Sequence, residues 1–378
     1  MRGVMLSFSF LIALLLHLLL FATAPMASIM IGQMGLSHAE FGMVYSASMF
    51  SLILFRIPWG LIADRIGYLW TLKIALPIAA ASALARAFAP SYPMLLASQF
   101  ILGLGLASVM PCLPLIIKEW SAGRPLGLAT GIYISGFAVG NATALGVTPL
   151  LLEIMDWRYV LFFCGGLAVV MGILWWGWAK SSMKGTPDSK PGQFKTVFKN
   201  PLVWILLLLM SAAMGGYDTL ATWMPKVLEM KKIDKALASL LPLGFFLAGP
   251  VVGWISDRFP NRKNTIILLG LLAAASTMGI NYAPFPFLLF CLFLSGFTTI
   301  GVLTITLALA AEQENFSSSI GTVVGLISSL GNVGPLVMPV VFGLLIDLTG
   351  SFHASVFFVA ALSGITFILG GRVSMRNF

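Results

Sequence analysis

The sequence predicts an all-α membrane protein in which twelve transmembrane helices form two six-helix halves. Of its 378 residues, 59% are hydrophobic and only 9% are charged, whereas an ordinary soluble domain has about 25% charged residues. The apolar residues fall into twelve long runs, and a helix needs about 20 such residues to cross the hydrocarbon core. We therefore expect a chain built for the lipid bilayer.

The twelve runs can be placed along the chain in order. They cover roughly 5–31, 40–63, 69–89, 92–117, 126–152, 157–179, 201–225, 237–256, 264–281, 287–311, 318–346 and 354–371. The first run exceeds the apolar part of a signal peptide, about 7–15 residues, and is expected to stay as a membrane helix. The long polar segment 180–200 predicts a cytoplasmic linker between an N-terminal half, 1–179, and a C-terminal half, 201–378.

The basic residues predict the orientation of these helices. Fifteen of the 22 lysines and arginines fall in segments on the side of the two termini, six fall on the other side, and Arg56 lies within a span. Cytoplasmic segments carry such an excess, so we expect both termini in the cytoplasm of a cell with this protein in its inner or plasma membrane. The exception is a basic cluster, Lys226 to Lys235, which this topology places outside.

Composition and motifs exclude several classes of function. The net charge of +9 is spread thinly between apolar segments rather than gathered on one face, so no nucleic-acid partner is expected. The three cysteines are odd in number and lack metal-ligand spacing. The chain has no phosphate-cradling Walker loop and no His-Glu-x-x-His helix, so we expect neither an enzyme nor a bound metal or cofactor.

One polar stretch between apolar runs occurs twice. Asp64 and Arg65 recur as Asp257 and Arg258, each 193 residues later. Glu119, at the end of the fourth run, recurs at the same spacing at the end of the tenth. Because half of the chain is 189 residues, these spacings indicate an internal repeat. Duplicated six-helix halves are typical of transporters that rock one half against the other.

The repeated stretch resembles a known signature. Gly60-x-x-x-Asp64-Arg65-x-Gly67 is similar to the signature loop of the major facilitator superfamily, and its echo begins at Gly253. The resemblance covers the whole chain. It implies secondary active transport by alternating access. We expect transport of a small-molecule substrate to be coupled to protons, and we expect a monomer. Tyr68-Leu69 replaces the family's usual basic pair, a departure expected to loosen the gate there.

Other residues resemble particular groups within this superfamily. Arg56, followed by Pro58 and Gly60, is similar to the second span of nitrate and nitrite porters, in which an arginine binds the anion. The run from Tyr217 to Pro225 is similar to cyanate porters. The second arginine of nitrate porters is missing, because the 193-residue offset from Arg56 lands on Gly249.

The two loops predict paired gates. Asp64 can accept hydrogen bonds from the N-terminus of a neighbouring helix, where backbone N–H groups lack partners. Arg65 can pair with Glu119, and Arg258 with Glu312. The alternative is that these charged residues lie in loops, follow the positive-inside rule and have no role in gating. The predicted gating set is Gly60, Asp64, Arg65, Gly67, Glu119, Gly253, Asp257, Arg258 and Glu312.

Arg56 is the predicted anion-binding residue. It lies eight residues before Asp64, so about 12 Å along a helix at about 1.5 Å per residue. An arginine deep in the bilayer costs at least about 2.5–3.5 kcal/mol and normally faces a cavity or a partner. Its planar fork suits an oxyanion. The alternatives are a structural salt bridge, with Asp218 as the candidate partner, and snorkelling to the interface.

Five further residues complete the predicted substrate site. Asp218, the only carboxylate well inside a predicted span, and His17, near the middle of the first span, are candidate proton carriers. Asp218 could equally pair with a loop lysine, and His17 could be a buried structural histidine. Tyr133, Tyr217 and Trp223 are candidate cavity residues, and aromatic packing or an interface belt is their alternative role.

These residues favour one function over two alternatives. The predicted activity is transport of a small anionic solute by alternating access, as a symporter or an antiporter. One alternative is a proton-coupled exporter of amphipathic compounds, with Arg56 held in a salt bridge. The other is a membrane sensor with the same fold that no longer transports; the doubled loop argues against it.

Overall fold

The structure is a computed structural model that describes residues 2–120, 126–181, 200–258, 262–312 and 327–372, apart from residue 328. Throughout these ranges the chain is helical and contains no strand. Most of the predicted linker therefore lies outside the described residues. In the described part, ten helical segments are long and apolar enough to cross a membrane, and Val333–Thr349 is a shorter apolar helix.

One of the ten segments has room for two passes. His38–Phe88 contains 51 residues, more than twice the length of about 20 that one pass needs. Dividing this segment and counting Val333–Thr349 would give the twelve predicted passes, and that count stays a prediction.

The helices group into two compact units. The first unit comprises Met1–Leu36, Met43–Ser189 and Met224–Ser239. Its helices are α1 (Arg2–Phe21), α2 (Ala27–Met34), most of α3 (His38–Ala85), α4 (Tyr92–Leu106), α5 (Val109–Trp120), α6 (Leu126–Leu152) and α7 (Trp157–Trp178), with short 3₁₀ helices at Ala24–Met26, Arg86–Phe88 and Lys235–Ser239.

The second unit comprises Ser37–Gly42, Lys190–Trp223 and Leu240–Phe378. It contains most of α8 (Pro201–Met230), then α9 (Leu240–Arg258), α10 (Arg262–Tyr282), α11 (Phe287–Glu312), α12 (Val333–Thr349) and α13 (His353–Arg372). The beginning of α3 belongs to this unit, and the end of α8 belongs to the first. Each unit thus contains a short segment from the opposite half of the sequence.

The internal repeat extends to helix packing. In the first unit, a Cβ atom added at Gly103 of α4 would collide with the backbone oxygen of Ser48 in α3. In the second unit, a Cβ at Gly296 of α11 would collide with the backbone oxygen of Leu241 in α9. Both partners are displaced by 193 residues between the units. Small residues let membrane helices approach closely, so the two units use the same close contact at equivalent positions.

Gly67 interrupts α3 between its two predicted passes. Its backbone has φ 81° and ψ 155°, a conformation that is essentially restricted to glycine. The helix resumes at once, and the Thr71 hydroxyl donates a hydrogen bond to the Gly67 carbonyl at 2.9 Å. The glycine predicted to belong to the first gate is therefore the residue at which α3 is kinked.

We expect Gly67→Ala to destabilise the protein by about 1–3 kcal/mol, because a side chain at this φ and ψ is strained. The measurement is the thermal unfolding midpoint of the purified protein in detergent. Gly166→Ala in α7 is the matched control, since an added Cβ there meets no atom within 4 Å. Equal midpoints for the two variants would contradict the structural role of Gly67.

Candidate functional site

The first gate is organised around the hydroxyl group of Tyr68, just after the break in α3. Tyr68 is 1% exposed. Its hydroxyl donates to Glu119 Oε2 at 2.7 Å and accepts a hydrogen bond from Trp120 Nε1 at 2.9 Å. Ser181 Oγ donates to the same carboxylate oxygen at 2.8 Å. One buried cluster thus joins α3, the end of α5 and the residues that follow α7.

Tyr68 makes contacts that the sequence did not predict. Its hydroxyl also lies 3.2 Å from the Lys180 carbonyl, so this neutral side chain holds the beginning of the linker. Arg65, by contrast, is exposed, and among the described residues no ion pair joins it to Glu119. The carboxylate oxygen is already occupied by Tyr68 and Ser181. The tyrosine that replaces a basic residue therefore supplies the donor to Glu119.

The other members of the first gate lie close by in α3. Asp64 is half-buried. Gly60 is also half-buried, and a Cβ atom there would lie 3.7 Å from Pro111 Cβ. That distance is an ordinary van der Waals contact, so α3 and α5 lie next to each other at this level.

The second gate is only partly described. The structure gives the helix backbone of Gly253 and Asp257 in α9 and of Glu312 in α11, but their side chains lie outside the described residues. The predicted pairing of Arg258 with Glu312 is therefore not described. Arg258 itself is exposed, and its guanidinium carbon lies 4.2 Å from the ring centroid of Trp254.

A row of rings runs through the first unit and includes two predicted site residues. The His17 ring lies 4.9 Å from Phe137 and 5.7 Å from Phe21, measured between centroids. Tyr133 meets Phe137 edge-on at 6.0 Å, and Tyr45 lies 5.1 Å from Phe21. The row connects α6, α1 and α3, and it places the half-buried His17 between the rings of Phe21 and Phe137.

Arg56 lies in the same unit, in the first pass of α3, and is half-buried. Its helix neighbours Phe55 and Trp59 both contact α4. Phe55 meets Phe100 at 6.0 Å, and Trp59 donates from Nε1 to the Leu104 carbonyl at 2.7 Å. These contacts fix the helix on both sides of the guanidinium group.

Three predicted site residues lie on α8 in the second unit. Tyr217 is fully buried and meets Phe245 edge-on at 5.4 Å. Asp218 is 4% exposed. Trp223 is fully buried, stacks on Phe342 at 5.5 Å and donates from Nε1 to the Pro339 carbonyl at 2.9 Å. Both the ring and the indole N–H of Trp223 thus have protein partners in this structure, and its contact with substrate stays a prediction.

Comparison with known proteins shows the family. The model of the Major Facilitator Superfamily matches residues 9–241 and 235–375. The chain belongs to this superfamily. It is therefore a multi-pass integral membrane transporter of small molecules and not an enzyme, as the sequence predicted.

Individual members of the superfamily resemble the chain over most of its length. The D-galactonate transporter of Escherichia coli O6:H1 is 27% identical over 382 residues, which are 89% of this chain and 88% of that protein. The probable nitrate transporter NarT of Staphylococcus epidermidis is 27% identical over 332 residues, covering 83% and 81%. A crystal structure of a mutant of the nucleoside transporter NupG shares the fold, with a TM-score of 0.80, 14% identity and coverage of 97% and 99%.

This superfamily member also has a polar latch that the sequence did not reveal. In the second unit, Asp347 at the end of α12 caps the beginning of α3. Its Oδ1 accepts from the His38 backbone N–H at 2.9 Å and lies 2.7 Å from His38 Nδ1, while Oδ2 accepts from the Ala39 N–H at 2.8 Å. Ser37 and Glu40 form a reciprocal capping box at 2.8 and 3.1 Å. Only the capping box had a local sequence signal.

The sequence also did not predict a second polar cluster, because its residues lie far apart in the chain. In the first unit, the Ser28 hydroxyl donates to the Glu229 carboxylate, and Lys226 Nζ donates to Ser28 Oγ at 2.6 Å. Lys226 and Glu229 are 3.9 Å apart. Ser28 is separated from Glu229 by 201 residues, so no spacing rule within a helix or a loop would have paired them. One lysine of the predicted outer basic cluster is thus held by a carboxylate.

We expect Tyr68→Phe to cost about 1–3 kcal/mol, because Glu119 loses a donor and Nε1 of the half-buried Trp120 loses its acceptor. The thermal unfolding midpoint in detergent should fall. Tyr282→Phe removes a hydroxyl from a side chain that is 75% exposed and should leave the midpoint unchanged. The role assigned to the Tyr68 hydroxyl is wrong if both variants unfold at the wild-type temperature.

We expect Asp347→Ala to loosen the first turn of α3. A helix cap contributes about 0.5–2 kcal/mol, so the backbone amides of His38 and Ala39 should exchange with deuterium about 2- to 30-fold faster. The check is hydrogen exchange followed by mass spectrometry. Asp234→Ala, which removes a carboxylate bonded to the Ala236 N–H at 2.9 Å, should leave this turn unchanged. Identical exchange in all three proteins would refute the latch.

Proposed function

We propose that this chain is a secondary active transporter that carries a small anionic solute across the membrane by alternating access, coupled to protons. Relatives that cover most of the chain are named as transporters of D-galactonate and nitrate. Both solutes are anions at neutral pH, although they differ in size and shape. The proposal therefore names a charge class and not one substrate.

Arg56 is the observation that carries this proposal. Arg56 is half-buried as a residue, its Nε atom is buried, and it lies within a membrane-spanning helix, where a cation is costly unless it faces a partner or a cavity. Arginine keeps its charge at any physiological pH and presents a planar fork to carboxylate or nitrate oxygens. The packing of Phe55 and Trp59 on α4 supports a fixed position for that fork. We assign Arg56 the role of binding the charged group of the solute.

Asp218 and His17 are the proposed proton carriers. Asp218 is almost completely buried in the second unit, and a carboxyl group away from water tends to hold a proton until a cation approaches. His17 lies within the aromatic row of the first unit, and histidine is the side chain that normally changes charge near neutral pH. In the first unit, Tyr133 meets Phe137, whose ring also lies next to His17. In the second unit, Tyr217 directly precedes Asp218 in α8. We assign both tyrosines to contact with the solute.

The proposed cycle depends on the repeated gates. Gly60, Asp64, Arg65, Gly67 and Glu119 would form one gate, and the equivalent residues of the second unit the other. Supporting this, the repeat holds both in the loop sequences and in the helix contacts at Gly103 and Gly296. We further propose twelve passes, both termini in the cytoplasm and a monomeric transporter.

Replacing Arg56 should strongly reduce anion uptake. A hydrogen bond to a charged group contributes about 1.5–3 kcal/mol, so Arg56→Gln should reduce uptake at limiting solute about 10- to 150-fold. The protein is reconstituted in liposomes, and uptake of D-galactonate, nitrate and neutral D-galactose is followed with and without an imposed pH gradient. Arg56→Lys should retain part of the activity, because it keeps the charge but loses the fork.

Lys235→Gln is the matched control, since it removes a positive charge from a half-buried loop position. Unchanged anion uptake by Arg56→Gln would refute the binding assignment. Equal uptake of D-galactose and D-galactonate by the wild type would refute selection for anions. Uptake that is insensitive to the pH gradient would refute proton coupling alone.

A further inference from the structure

A lysine on the surface of the first unit is held between two tryptophan rings. Lys73 Nζ lies 4.7 Å from the Trp70 ring centroid and 5.1 Å from that of Trp176. The two rings meet nearly perpendicularly, with centroids 6.3 Å apart. Each tryptophan is 52% exposed, so this arrangement faces the surroundings of the protein rather than its core.

Hydrogen bonds between α3 and α7 fix this arrangement. Trp176 Nε1 donates to the Lys73 carbonyl at 3.0 Å. Its buried neighbour Trp175 donates from Nε1 to the Leu69 carbonyl at 3.2 Å. The two helices are thus held together at the level of Lys73, and the Trp176 ring that flanks the ammonium group is fixed to the Lys73 backbone.

The positive charge of Lys73 is not neutralised by a neighbouring acid. Among the described residues, no carboxylate lies within 4.0 Å of its ammonium group. Cation–π contacts stabilise an ammonium without removing its charge. Of the carboxylates in the first gate, Glu119 is engaged by Tyr68 and Ser181. Two further cations, Arg65 and Lys180, are exposed on the same loop and at the end of α7.

The surface beside Lys73 is apolar and follows both helices. On α3, Trp70 and Ile74 are exposed one helical turn apart, and on α7 Val170, Ile173 and Trp176 are exposed at three-residue spacing. Such spacing places each set on one face of its helix. In an integral membrane protein, these faces contact acyl chains. The ligand that fits Lys73 therefore combines an anionic group with long hydrocarbon chains.

We propose that Trp70, Lys73 and Trp176 bind the phosphate of an anionic membrane phospholipid, whose acyl chains lie along Ile74 and Ile173. The Lys73 ammonium donates to the phosphate, and the indole N–H of Trp70, a residue that is 52% exposed, is the proposed second donor. This site lies six residues after the break at Gly67, so the bound lipid holds the second pass of α3 against α7. The assignment is independent of the solute that the protein transports.

The test measures lipid bound to the full-length protein. Wild type is purified in detergent, titrated with phosphatidylglycerol or phosphatidylcholine, and the bound lipid is counted by native mass spectrometry. Each basic residue near an anionic lipid surface contributes about 1 kcal/mol, so Lys73→Gln should weaken phosphatidylglycerol binding about fivefold. Lys235→Gln should bind as wild type, and phosphatidylcholine should bind more weakly to all three proteins.

Trp70→Phe provides a second variant that keeps a ring but loses the indole N–H, and it should bind phosphatidylglycerol less tightly than wild type. The proposal is overturned if both Lys73→Gln and Trp70→Phe retain as much phosphatidylglycerol as Lys235→Gln. It is also overturned if inorganic phosphate displaces the bound phosphatidylglycerol at equal concentration, since that outcome indicates a site for a free anion.

Discussion

The hydrocarbon core of the membrane holds no water to satisfy polar groups, and this constraint shapes the buried polar contacts of the described helices. In hydrocarbon, each unsatisfied backbone or side-chain group costs several kcal/mol. Arg86 is fully buried, and its Nη1 donates to the Leu19 carbonyl at 2.7 Å in the last turn of α1, whereas its Nε and Nη2 have no hydrogen-bond partner among the described residues. Trp59, Trp175 and Trp223 likewise donate their indole N–H groups to backbone carbonyls of other helices. Tryptophan thus serves both as packing material and as a bridge between helices.

The same constraint explains why the first gate is built around a neutral group. A hydroxyl can donate to Glu119 and accept from Trp120 at once, whereas a lysine or arginine would bring a second charge into a site that is almost closed to solvent. The exposed Arg258, in contrast, keeps its charge on the surface above Trp254. The two repeats share a sequence signature, yet the described side chains at the two loops are stabilised in different ways.

The sequence predicted the fold because its signal is repeated and periodic. Apolar runs, the placement of basic residues and the 193-residue offset all act over long stretches, and the offset reappears in the contacts of Gly103 and Gly296. Gly67 was placed in the gate from the motif alone, and its backbone angles explain why a glycine is required. These features depend on residue type and local order, which a single chain displays directly.

Contacts between distant residues could not be predicted in this way. Asp347 and His38 are separated by 309 residues, and neither carries a local signal for the other. The replacement of a basic residue by Tyr68 was expected to loosen the gate. A sequence shows that a charge is lost, but it does not show that the tyrosine hydroxyl lies beside the Glu119 carboxylate. Arg86 is one of the six basic residues that the predicted topology places outside. Its side chain is instead buried against α1. The positive-inside rule counts charges and does not consider the direction of a side chain.

The exchange of short segments between the units has a consequence for biosynthesis. When the ribosome has completed the first half of the chain, Ser37–Gly42 has none of its partners in α8 and α12, because those helices are not yet made. The beginning of α3 must therefore wait in the membrane until the second half has been inserted. Assembly of the first unit is likewise unfinished until Met224–Ser239 arrives, so neither half of the transporter can mature fully before the other is translated.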